Sequence, residues 1–306
     1  MKRKVNLVGQ NTLTISLPSK WVERNKIKKG DELEIEEGES QLFVATTKTT
    51  FKTQKTLHLA ITEEVFSERT ITMPYVRGYN HIKISFNDIS SLDKIENTLD
   101  KTPGFEIIKQ GKDFVEIKNI FSEDTEEFDT VLERLYNVIL VGLQEISDEF
   151  MLGDFKNIKF IEKLSRDSDK YDLFCRRMMN TKSYSDEIRN FSIYAIIKNY
   201  ELIGDIFKEL FYYIEHNHLG KSLEISRLVG DIIRFLKFTH KIYHSEATID
   251  HIIETKRIRT DFRTSYDKIL LKLTTKELVS ALGLINQIYY SVNHISDETL
   301  YLNYHR

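Results

Sequence analysis

Cysteine is almost missing from this chain. The one thiol, Cys175, excludes an intrachain disulfide framework and a zinc–cysteine cluster. It shares an apolar helical stripe with Tyr171 and Met178, which reads as a core thiol in a reducing cytoplasm. Proline is nearly as scarce. Pro18, Pro74 and Pro103 are the whole set, so nothing after residue 103 interrupts a helix in the way proline does. Glycine is also sparse there. No apolar run approaches the length of a membrane span, and Met1-Lys2-Arg3-Lys4 has no apolar stretch behind it, unlike a secretory signal. Neither sign of charge dominates. The net charge is −3 over 306 residues, with 30% charged and 41% apolar residues, the profile of a globular protein of two or three domains.

What is present changes character along the chain. Val5 and Leu7, then Leu13, Ile15 and Leu17, alternate with polar residues at the period of half-buried strands. Gly9-Gln10-Asn11 between them is turn chemistry. Pro18 ends the second strand and suits the first turn of a helix over Ser19 to Lys26, with Trp21 and Val22 on its apolar side. Gly30-Asp31 makes a turn, and Leu33 and Ile35 resume a strand. Before Gly30 the basic residues Lys2, Arg3, Lys4, Lys20, Arg24, Lys26, Lys28 and Lys29 meet only Glu23. Six acids, Asp31 to Glu39, then follow. A single-sign face suits a phosphate backbone, although nearby acids on a solvated surface cancel it as well. A unit this short buries too little surface alone and needs a partner chain.

These residues, LVGQNTLTISLPSKWVERNKIKKGDELEIEE, resemble the AbrB/SpoVT/MazE family of swapped-hairpin DNA-binding domains. The resemblance implies a dimeric β-barrel of two interleaved hairpins over residues 1–47, with DNA and a second copy of the chain as partners. It implies DNA contacts from Arg3, Lys4, Gln10, Asn11, Lys20 and Arg24. Many members carry Arg directly after the loop glycine, and Gln10 stands there here, which weakens phosphate attraction at that point.

Residues 48–122 read as a small α/β linking unit. Leu57, Leu59 and Ile61 alternate, as do Ile82, Ile84 and Phe86. Asn87-Asp88 offers a cap to a helix bearing Ile89, Leu92, Ile95 and Leu99. The segments from Phe105 and Phe114 flank a turn at Lys109 to Asp113, a hairpin. Between Glu63 and Tyr79 the pattern decides neither helix nor strand, and Pro74 and Gly78 break any long helix there. This unit carries no phosphate loop and no catalytic spacing.

From Asp124 the period becomes helical. Phe128, Leu132, Leu135, Ile139, Leu143, Ile146 and Phe150 stripe one helix. Ile158 to Met178 and Ile193 to Leu210 stripe two more. Three further helices follow, led by Ile225, Ile249 and Leu278, so residues 123–219 and 220–306 read as a duplicated three-helix unit. The fold class expected is thus α+β and multidomain. The duplication and the run Asn199-Tyr200-Glu201-Leu202-Ile203-Gly204-Asp205 resemble the PhoU family and its acidic signature, with Leu202 in place of the usual Arg. Arg166-Asp167-Ser168-Asp169 resembles the acidic run on its preceding helix. In the second repeat Ile285 and Tyr289 replace the acids.

Glu201 and Asp205, four apart, share one helix face. With Asp169 or Asp167 they form an oxygen-rich set for a divalent or ferric metal, as the PhoU resemblance implies; the plainer reading is an acidic face paired with Lys or Arg. His240 and His244 have the spacing of a zinc pair but no further ligand in sequence, and no Glu follows His240 as in a metalloprotease. They read as helix-end histidines. Gly220-Lys221-Ser222 lacks the partner glycine and preceding strand of a phosphate loop, and reads as a helix linker. No nucleophile–base pair appears, so an enzyme is not expected. The order of domains resembles archaeal-type phosphate uptake regulators. It implies a DNA-binding transcriptional regulator of phosphate uptake with a sensing or docking domain. The alternative is an adaptor for a phosphate transporter component or its sensor kinase, with the barrel used only to dimerise. Free-standing antitoxins are short and lack such helices.

Overall fold

The structure is a computed structural model that describes residues 2–9, 11–37, 42–46, 56–61, 66–121, 126–153, 156–181, 187–272 and 275–304. The chain divides into two compact units, residues 1–53 and 54–306.

In the first unit, β1 (Val5–Val8) and β2 (Thr12–Ile15) form an antiparallel hairpin in which Val5 faces Ile15 and Leu7 faces Leu13. Gly9 enters the turn at φ +69°, a left-handed conformation in which a Cβ is strained. Gln10 lies outside the described residues. Pro18 delivers the chain to α1 (Ser19–Arg24), where its carbonyl accepts from the Trp21 and Val22 amides at 2.9 and 3.0 Å. Asp31 closes the next turn by accepting from the Lys28 amide at 2.8 Å. β3 (Leu33–Glu37) then pairs antiparallel with β4 (Leu42–Thr46) in a separate two-stranded sheet. The continuous apolar run Leu42-Phe43-Val44-Ala45 lacks the alternation that marks a half-buried strand, so β4 is not readable from period alone. Among the residues of this unit whose burial is described, only Thr46 is buried.

The second unit begins with a four-stranded sheet of β5 (Thr56–Ile61), β6 (His81–Phe86), β7 (Phe105–Gln110) and β8 (Phe114–Asn119) in the order β5-β6-β8-β7. β5 and β6 are parallel and joined through α2 (Arg69–Val76), while β7 and β8 are the expected hairpin. α2 is a helix of eight residues, short enough to agree with the limit that Pro74 and Gly78 set on helix length. Pro74 lies inside it, and the loss of one helical hydrogen bond is offset by burial of Ile71 and Tyr75 against the sheet. Asp88 accepts from the Ser90 amide at 3.0 Å at the start of α3 (Ser90–Leu99), as the Asn87-Asp88 pair leads one to expect.

Six long helices complete the unit: α4 (Glu126–Leu152), α5 (Ile158–Thr181), α6 (Glu187–His216), α7 (Leu223–Tyr243), α8 (Ile249–Leu270) and α9 (Lys276–Asn303). The α4 stripe from Phe128 to Phe150 is buried throughout, and Cys175 is a buried free thiol. Helices α4–α6 and α7–α9 share one core, because α4 packs on α7 and α6 packs on α9. Ser222 is the N-cap of α7, its hydroxyl accepting from the Ile225 amide at 3.3 Å, so the Gly220-Lys221-Ser222 run serves a helix start.

Candidate nucleic-acid interface and acidic face

The DNA-facing candidates collect on the first unit. Arg3 and Lys4 lead into β1, and Asn11 stands on the far side of the Gly9 turn; all three are exposed. Lys20 and Arg24, one helical turn apart, share the solvent face of α1, while Trp21 and Val22 are half-buried on the other side. None of these cations makes an ion pair with a described residue, which leaves their charge available to an external anion. The apolar side of the hairpin is equally unoccupied. Val5, Leu7, Leu13 and Ile15, which share one face, are 58–69% exposed. An alternating strand pattern predicts one buried face, and nothing within the described part of this unit buries it.

The acidic candidates lie on α5 and α6; Asp169, Glu201 and Asp205 are near enough to act on one another's charge, but they do not bring three ligand atoms within 4.8 Å of one another. Asp169 pairs with Lys101 at 3.2 Å, and Lys101 also holds Glu68 at 2.9 Å. Glu201 pairs with Lys198 at 2.7 Å. Asp167 and Asp169, two apart on α5, project to different sides of that helix. Desolvation, then the charges of Glu201 and Asp169, push the Asp205 carboxyl up to about 6. Gly204 between them has a packing role, because a Cβ there would overlap the buried Ser168 hydroxyl of α5. Asp169 and Glu201 are thus paired with lysines, while Asp167 and Asp205 make no ion pair with a described residue.

Asp172 is a residue the sequence reading passed over. It is buried, its Oδ2 accepts from Arg176 Nε at 3.0 Å, and burial outweighs that pair and lifts its carboxyl to about 6. Its i,i+4 spacing to Arg176 was the available signal. Glu133 is a second. Its carboxylate on α4 lies 3.2 Å from His240 Nε2 and 3.5 Å from His244 Nε2, beside a cavity of about 600 Å³. Among the described residues, only these three place a set of three ligand atoms within 4.8 Å of one another. Nothing local in the sequence joins residue 133 to residues 240 and 244.

Residues 8–51 match the family described as antidote-toxin recognition MazE, bacterial antitoxin. The MazE-like segment begins within β1 and holds Gln10, Asn11, Lys20 and Arg24; Arg3 and Lys4 precede it. No curated protein and no solved structure matches the chain. The helical region after residue 126 therefore rests on its own geometry.

Proposed function

We propose that this protein is a homodimeric DNA-binding transcriptional regulator of phosphate uptake, with the MazE-like segment as the DNA-binding part and the helical region as a sensing or docking domain. The observation that carries the DNA-binding reading is the exposed Lys20–Arg24 face of α1 beside a hairpin whose apolar residues lack a core. A second copy of the chain supplies that core in a swapped-hairpin barrel and doubles the cationic face across a two-fold axis, as a duplex requires. The phosphate assignment rests on the resemblance of Asn199 to Asp205, on α6, to the PhoU signature, and on the two successive three-helix sets. On that reading the helical region transmits phosphate status or docks a transporter component.

The matched family's description favours a second reading, in which the exposed hairpin and α1 neutralise a toxin protein. The deciding experiment is fluorescence anisotropy with the DNA upstream of the protein's own coding sequence, a scrambled duplex, and both again with inorganic phosphate. Tighter binding to the upstream duplex, altered by phosphate, supports the regulator. Binding to neither duplex at low salt moves the assignment to the antitoxin or to the transporter adaptor.

A further inference from the structure

We propose that Glu133, His240 and His244 form a binding site for one zinc-class divalent cation on the wall of the cavity lined by α4, α6 and the end of α7. Three features of the donor set point there. The donors are two imidazoles and one carboxylate, the mixed nitrogen–oxygen set that suits zinc, whereas magnesium and calcium select all-oxygen sites. The separations fit. With metal–ligand bonds of about 2.0–2.1 Å, a tetrahedral site places neighbouring donors about 3.3 Å apart. Each histidine Nε2 lies 3.2 or 3.5 Å from its own Glu133 oxygen. The carboxylate thus faces both rings at once, and it can bind through one oxygen or both.

The geometry is also held in place by packing. The His240 ring stacks on Tyr136 at 3.6 Å with 4° between the planes, and meets the His244 ring edge-on at 4.7 Å. His244 occupies the C-cap of α7, so the pair spans the last helical turn. Further along the same two helices, the Ser147 hydroxyl donates to the Ser226 carbonyl at 3.1 Å. That tie fixes the register of α4 against α7, and the Glu133–His240 pair lies at an equal sequence distance from it on both helices.

Two features of the cavity favour a bound cation. Among the described residues, Asp129, Glu133 and Glu246 line it against the cation Arg189, an excess of negative charge. Tyr243 on the same wall has a buried hydroxyl without a hydrogen-bond partner among the described residues, so a water that completes the coordination left open by three protein ligands would have a polar group to meet in this cavity. The rival account is a metal-free carboxylate hydrogen-bonded between two imidazoles.

The test uses the full chain purified without a histidine tag, stripped with EDTA, dialysed, and titrated with zinc sulfate. Elemental analysis after desalting should return one zinc per chain. Cobalt(II) in its place should show the intense visible bands of a four-coordinate site. His244→Gln alters an exposed residue and should leave the circular dichroism melt of the metal-free protein unchanged, while weakening zinc at least about tenfold and abolishing the cobalt spectrum. His240→Ala should do the same to zinc, with the His244 variant deciding if it folds poorly. Glu201→Gln with Asp205→Asn should keep the zinc. Absence of retained zinc in the parent, equal zinc in parent and histidine variants, or zinc lost only in the Glu201/Asp205 variant each overturns the site.

Discussion

The Arg177 guanidinium donates to the Tyr75 carbonyl at 2.6 Å while lying 4.8 Å from the centroid of the same residue's ring. It donates as well to the Tyr79 carbonyl at 2.9 Å and to Asn80 Oδ1 at 2.5 Å, and it is buried. One side chain of α5 thereby satisfies backbone acceptors at the end of α2 and in the turn to β6, where the sheet meets the helices. Tyr75 in turn donates to the Pro103 carbonyl at 2.9 Å. The α/β layer and the helical bundle of residues 54–306 are bound through a charged, hydrogen-bonded contact as well as an apolar one.

Arg177→Ala should therefore destabilise the protein by about 3 kcal/mol or more, because it removes three charge-assisted hydrogen bonds and the packing of a large buried side chain. Arg177→Lys should recover little, since an ammonium cannot reach three acceptors in the planar arrangement that a guanidinium spans. Urea denaturation checks both. A loss under about 1 kcal/mol for the alanine variant contradicts the role assigned.

Gly204→Ala should also destabilise, by about 1–3 kcal/mol, because the added carbon meets Ser168 across the α5–α6 contact. Alanine's better helix propensity, about 1 kcal/mol, opposes this without cancelling it. Adding Ser168→Gly moves the small residue to the other helix and should restore part of the loss. A double-mutant cycle that shows no coupling removes the close-approach explanation.

Asp172 gives the stability a pH dependence of unusual sign. Its carboxyl titrates near 6 when folded, against 3.8 as its ordinary value. Between these values the folded chain holds more protons than the unfolded one. Stability from this group is thus fully present at low pH and is lost as pH rises through about 4 to 6. The full effect is on the order of 3 kcal/mol. The exposed Asp205, also lifted to about 6, acts in the same direction. Asp172→Asn should flatten the stability profile across that window, measured by chemical denaturation at several pH values. An unchanged slope counts against the burial argument.

The first unit's cations predict salt behaviour. Each phosphate contact contributes about 0.9 to the slope of log affinity against log salt. Lys20→Ala with Arg24→Ala should reduce that slope and weaken operator and random duplexes alike, since such contacts position without reading sequence. Asn11→Ala should narrow the difference between the two duplexes more than it weakens random binding, because an amide both donates and accepts at a base edge. Anisotropy over a salt series separates these outcomes.

Leu13 and Ile15 are 69% and 58% exposed in a strand whose pattern demands burial. The parent should sediment as a dimer, and Leu13→Asp with Ile15→Asp should shift it toward monomer. A monomeric parent at micromolar concentration ends the swapped-hairpin reading.

Much of this protein is written in local pattern. The hairpin around Gly9, the helix started by Pro18, the strands from Thr56 and His81, and the apolar stripe of every long helix follow from periodicities that act within a few residues. So does the isolation of Cys175 within a helical stripe. Other features are set by encounters between distant segments. Burial of Ile71 and Tyr75 against the sheet keeps Pro74 inside a helix. Pairing with β3 makes a strand of the unalternated Leu42 run. Lys101 reaches Asp169 on α5 from the sheet layer, a pairing 68 residues apart in the chain. Glu133 reaches His240 and His244 only because α4 and α7 pack in one register. Secondary structure follows the spacing of apolar residues along the chain, which the sequence states outright. A site depends on which faces meet and at what offset, and only the packed core decides that.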